Sequence, residues 1–137
     1  MNDRGERRFI NPPDVWNSTR YGFSQAVVAA PGEIIFVSGQ VAWDVDQRSG
    51  TDDLHDQARG AFANLERVLT AAGSSLADIT ALRIHIVAEP DDDLSAVSAA
   101  LRATFPADEG PAATWILVRG LASPDFRIEV EATAVRR

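Results

Sequence analysis

Residues 110–135 read GPAATWILVRGLASPDFRIEVEATAV, and the fold turns on how this stretch is parsed. Two strand-like runs, 114–118 and 126–135, flank a turn-rich gap that holds Gly120, Ser123, Pro124 and Asp125. Apolar runs separated by turn residues predict a β-hairpin. Side chains alternate along a strand, so Phe126, Ile128, Val130, Ala132 and Ala134 share one face while Arg127, Glu129, Glu131 and Thr133 share the other. The first face suits a core. The second either meets water or has a polar task.

Working backwards, Leu94, Val97, Leu101 and Phe105 recur at helical spacing and Pro106 stops the run. Asp91, Asp92 and Asp93 precede this helix, where its dipole favours negative charge; consecutive aspartates without Ca2+-loop spacing are read as capping. Residues 79–87 form a strand with Leu82, Ile84 and Ile86 on one face and Arg83 and His85 on the other. Two strands thus turn ionisable side chains away from the helices, towards either water or a partner subunit.

The longer helix is set by Leu54, Ala58, Ala61, Phe62, Leu65, Val68, Leu69 and Ala72, with Asp52 or Asp53 as cap and Gly73 as left-handed exit. Before it, residues 24–30 and 33–40 read as strands joined at Pro31-Gly32, a hairpin pair. The unbroken apolar middle of the second strand suggests cover on both faces. Gly39 near its end marks either a bulge or the close approach of a ligand or backbone. Trp43, alone in an acidic loop, is expected to pack over the core edge. Residues 1–20 are polar and expected to be partly ordered, with Arg8, Phe9 and Ile10 as a short extended candidate. The sum is an α+β chain, one two-layer domain over residues 1–137 with a six-stranded mixed sheet and both helices on one face.

Composition narrows the chemistry. The 137 residues are 45% apolar and 24% charged, ordinary for a globular domain. No apolar run spans a bilayer and the N-terminus lacks a signal-peptide core, so a cytoplasmic protein with no membrane partner is expected. A net charge of −7 argues against nucleic acid as a partner. The absence of cysteine removes thiolate chemistry, and all 13 basic residues are arginine, so no lysine can form a Schiff base. His55 and His85 lie in different elements. No metal site and no cofactor are expected.

The chain resembles the Rid family (RidA/YjgF, also known as endoribonuclease L-PSP). The resemblance is carried by Ser24-Gln25-Ala26-Val27, Ser38-Gly39-Gln40, Gln57-Ala58, Asn64-Leu65, Ala72-Gly73, Phe105-Pro106, Pro111-Ala112 and the closing strand Ile128-Glu129-Val130-Glu131-Ala132, in order. It implies a chorismate-mutase-like fold, a homotrimer, and small-molecule clefts between subunits. It also implies hydrolysis of reactive imines and enamines, with an arginine holding the substrate carboxylate and a glutamate positioning water. Those roles map Glu129 as the catalytic residue that positions water and Phe23, Ser38 and Gly39 as cleft residues. The motif arginine is replaced by Ala113, and Phe23 stands where a tyrosine is usual. Trp115 shares strand parity with Ala113 and is expected to line the same pocket. The expected function is therefore a deaminase-type hydrolase of altered substrate, the alternative a non-catalytic metabolite-binding homologue, with ribonuclease activity the weakest reading. Arg20 or Arg119 is the candidate substitute for the lost cation.

Overall fold

The computed structural model describes residues 7–136. In chain order the elements are β1 (Arg7–Ile10), β2 (Ala26–Ala29), β3 (Glu33–Gln40), α1 (Leu54–Ala71), β4 (Ile79–Ile86), α2 (Ser95–Thr104), β5 (Ala112–Leu117) and β6 (Ile128–Arg136), with single 3-10 turns at Thr19–Tyr21 and Leu76–Asp78. Both helices pack on one face of a mixed sheet, the two-layer α+β arrangement expected. Its six strands are hydrogen-bonded as four plus two: β3-β6-β4-β5 form the main sheet and β1-β2 a separate ribbon. A single parallel bridge from Ser24 to Ala112 joins them.

Neither expected hairpin forms. β5 runs parallel to β4, β6 runs antiparallel to both β4 and β3, and β4 therefore lies between β5 and β6. The connection 118–127 exceeds the roughly 2–5 residues of a hairpin loop. It steps over the end of β4, where Val118 N donates to Ile86 O at 2.9 Å and Val87 N donates to Arg127 O at 2.8 Å. The β2 ladder is likewise taken by β1, in the register Phe9 to Val27, which leaves β3 at the sheet edge.

The core lies between sheet and helices. Ile128, Val130, Ala132 and Ala134 of β6 meet Leu82, Ile84 and Ile86 of β4 beneath Ala58, Ala61, Phe62, Leu65 and Leu69 of α1. Asp53 caps α1 by accepting from Asp56 N at 2.9 Å, and Gly73 leaves it with φ of 72°. Val68, expected on the buried stripe, is exposed. Trp43 packs on Phe126 with ring centroids 4.5 Å apart, as its place beside the core implied.

The N-terminal segment is tied to the body from Arg7 onward. The Arg7 guanidinium donates to Val135 O at 2.7 Å, and the fully buried Ser18 hydroxyl donates to Phe23 O at 2.9 Å. For residues 1–6 the expectation of partial order lies outside the described residues.

Asp92 makes a connection the sequence did not suggest. Its carboxylate accepts from the Glu89 backbone N–H and pairs with Arg127, which carries Arg127 away from the outward polar row. The Glu89 amide first, then Arg127, holds its pKa below the ordinary 3.8. The folded state therefore binds fewer protons than the unfolded chain near that value. The contribution is complete above 3.8 and disappears as pH falls through the lowered folded value. Asp92→Asn is expected to flatten the acid limb of a urea-midpoint profile taken between about pH 2 and pH 6. An unchanged acid limb would show that the pair adds nothing.

Candidate functional site

The sheet face turned away from the helices is built by register. His85 lies opposite Glu129 and Arg83 opposite Glu131 across β4 and β6, while Thr114 and Ile116 of β5 align with Arg83 and His85. Arg83 and Glu131 approach to 3.6 Å within the chain. On the other flank β3 contributes Ile34, Phe36 and Ser38. Phe36 is 79% exposed and Ile34 59% exposed, so one face of β3 is open where cover on both was expected.

Gly39 resolves in an unforeseen way. The β3–β6 register slips between Val37 and Gln40, which places a one-residue bulge at Ser38 and Gly39. What comes close there is the Glu129 side chain: a methyl group on Gly39 would stand 2.6 Å from the Glu129 Cδ and nearer still to Oε1. The missing side chain thus makes a seat for the carboxylate. Ser38, Gly39 and Glu129 are brought together on the open face.

Phe23, Ala113 and Trp115 assemble elsewhere. Ala113 and Trp115 pair with the buried Leu82 and Ile84, so both sit on the helix side of β5 and pack against the core. Gly110 brings the Phe23 segment to this edge. A Cβ on Gly110 would fall 2.9 Å from Phe23 Cα, and the Ser24 hydroxyl donates to Gly110 O at 2.6 Å. Phe23 and Trp115 have centroids 5.9 Å apart at 50°. Trp16 stands edge-on to Phe23 at 5.9 Å and to Tyr21 at 6.2 Å. These four rings, with Gln25, Ala113 and Thr114 on the rim, bound a cavity of about 540 Å³. The Trp115 Nε1 is buried without a hydrogen-bond partner among the described residues. Trp16 was missed because the first twenty residues read as polar, and Tyr21 because it falls between that segment and the strand; two aromatics shortly before Phe23 were the available signal.

Gln25, Ala113 and Thr114 also border a second hollow of about 410 Å³ on the open face, with Phe36, Arg83 and Glu131. The aromatic cavity thus lies at the β5 edge, with Thr114 on the open face and Ala113 and Trp115 on the helix side, away from the Gly39–Glu129 seat between β3 and β6. Neither candidate substitute cation enters the aromatic cavity. Arg20 lies over the Tyr21 ring at 5.3 Å, and Arg119 is exposed in the loop after β5. Among the described residues, ligand-type side chains gather at Asp53, His55 and Asp56. There Asp53 accepts from Asp56 N and Asp56 accepts from Thr51 Oγ1 at 3.3 Å, local capping bonds at the start of α1. No helix among the described residues is long and apolar enough to cross a membrane.

The family described as endoribonuclease L-PSP matches residues 17–136. The chain is similar to the RutC family protein YjgH of Escherichia coli, at 34% identity over 74% of this chain and 76% of that protein. It is similar also to the 2-iminobutanoate/2-iminopropanoate deaminase of Escherichia coli, at 31% identity over 77% of this chain and 82% of that one. Among solved structures, the Rid-family protein YyfB of Yersinia pestis superposes with a TM-score of 0.89 at 37% identity, covering 95% of this chain and 98% of that one.

Proposed function

The chain belongs to the endoribonuclease L-PSP family, the Rid/YjgF family, and from that premise we propose that it is a homotrimeric, deaminase-type hydrolase of a reactive C=N metabolite whose substrate differs from a simple 2-imino acid. The observation that carries this reading is the Glu129 carboxylate seated over the bare backbone of Gly39 on an open sheet face.

Assembly supplies the missing half of the site. Exposed Phe36 and Ile34 beside the polar row make a surface that a second copy would cover. The proposed trimer sets the Phe23, Ala113 and Trp115 edge of one copy against the Glu129 face of the next. Small-molecule sites commonly form at such seams. Sedimentation at micromolar concentration is expected to give three times the chain mass.

The chemistry needs little. Glu129 accepts a proton from water as the water oxygen bonds to the imine carbon, and the C=N π pair takes a proton at nitrogen. The carbinolamine then collapses: protonated Glu129 returns its proton to the amino nitrogen, the hydroxyl gives its proton to solvent as the C–N bond breaks, and ammonia leaves a carbonyl compound with Glu129 again ionised. A positioned general base contributes typically 10²–10⁴-fold. The test generates imines in situ, using an amine oxidase on benzylamine and an amino-acid oxidase on phenylalanine, and follows semicarbazide trapping. The protein is expected to lower trapping from at least one source, and Glu129→Gln is expected to lose the effect. Equal trapping with and without protein from both sources refutes hydrolysis. The non-catalytic binding reading would then stand, favoured by the separation of Glu129 from the aromatic cavity within the chain.

A further inference from the structure

The identity of the substrate body can be carried further, resting on the reading above only in taking the aromatic cavity as the substrate pocket. We propose that this cavity binds an uncharged, aromatic-bodied compound and discriminates against carboxylates.

Charge and ring geometry both point this way. No arginine borders the cavity, and Ala113 occupies the rim position with a side chain that cannot donate a hydrogen bond. Its walls are the rings of Trp16, Tyr21, Phe23 and Trp115, largely apolar surface that carries no positive charge to pair with an anion. A carboxylate entering here would lose its hydration without a paired cation, which disfavours the charged form strongly. Across the shared rim, Arg83 lies 3.6 Å from Glu131, so the adjoining hollow offers a balanced pair.

A cationic ligand is disfavoured for a different reason. Aromatic cages hold cations where several ring faces converge. Here one of the four rings is already taken, because the Arg20 guanidinium lies over Tyr21 at 5.3 Å and stands as a like charge beside any cation that enters. What remains is flat apolar surface, with the Gln25 amide and the Thr114 hydroxyl as neutral polar groups at the mouth. At about 540 Å³ the space suits a single substituted ring.

The test compares three probes of one shape: phenylacetamide, phenylacetate and 2-phenylethylammonium. Of the three tryptophans, Trp43 packs on Phe126 away from the cavity, so a Trp43→Phe protein reports through Trp16 and Trp115 alone. Phenylacetamide is expected to change this fluorescence saturably, at least about tenfold tighter than either charged probe, a difference of about 1.4 kcal/mol. Ala113→Arg is expected to reverse the order of amide and carboxylate. Should that variant misfold, Trp115→Ala is expected to weaken the amide about tenfold. Equal or tighter binding of either charged probe, or no saturable binding of any, overturns the proposal. Because binding is read without turnover, a protein that hydrolyses imines yet prefers phenylacetate refutes only this inference. One that prefers the amide yet never hydrolyses refutes only the enzyme.

Discussion

Gly39→Ala is expected to lower imine hydrolysis by about 10²–10⁴-fold, the range a positioned general base contributes, while the urea midpoint barely moves. The new methyl group would stand 2.6 Å from Glu129 Cδ and 2.7 Å from Cγ, so the carboxylate has to swing off its seat. What yields is the far end of a flexible side chain, because no backbone atom is among the nearest neighbours of that position. Alanine also lowers the entropy of the unfolded chain, worth about 0.4–1 kcal/mol in its favour where the backbone is compatible. A stability-neutral variant with wild-type activity would show that the seat has no part in catalysis. A variant that unfolds would show instead that the bulge itself requires glycine.

Gln57→Leu is expected to cost about 3 kcal/mol or more, a large share of a typical domain's stability. The Gln57 side chain is buried at the start of α1 and joins three segments. Its Nε2 donates to Thr51 O at 3.0 Å and to Asp125 O at 2.8 Å, and its Oε1 accepts from Arg127 N at 2.7 Å. Leucine fills the space but leaves two carbonyls and one amide without that partner, each costing about 1–3 kcal/mol if buried. Urea unfolding at neutral pH measures the loss. A change below about 1 kcal/mol would mean that water replaces the side chain and that the three segments hold themselves.

These two residues show what the sequence made legible. The alternation of β6 and the stripe of α1 were plain because each is a local period, and both faces were assigned as the structure has them, apart from exposed Val68 and Ala72. Sheet order was not legible. The run at 114–118 has the same local signals whether it pairs with β6 or with β4, and the choice is made by β4, whose Leu82, Ile84 and Ile86 are all buried and favour a central place.

Gln57-Ala58 and Asn64-Leu65 stood out as paired residues without showing why. The structure gives the reason: each amide fastens a loop to α1, Asn64 Nδ2 donating to Val41 O at 2.7 Å and to Trp43 O at 2.8 Å. Phe23, Ala113 and Trp115, grouped by strand parity and motif, are neighbours in the structure. The position of Glu129 across the sheet from them depends on pairing between distant segments, which no local pattern encodes.

The central place of β6 has a consequence for how the protein is made. This strand joins β3 on one side and β4 on the other, yet it is the last element in chain order. A ribosome therefore releases β3, α1, β4 and α2 before the strand that unites them exists. Until residue 136 emerges, β3 lacks its β6 partner and both of its edges stand open, against one in the finished sheet. Such a half-made sheet invites pairing with other nascent chains. Slower translation offers no shelter here, because every pause upstream of β6 prolongs that sticky stage.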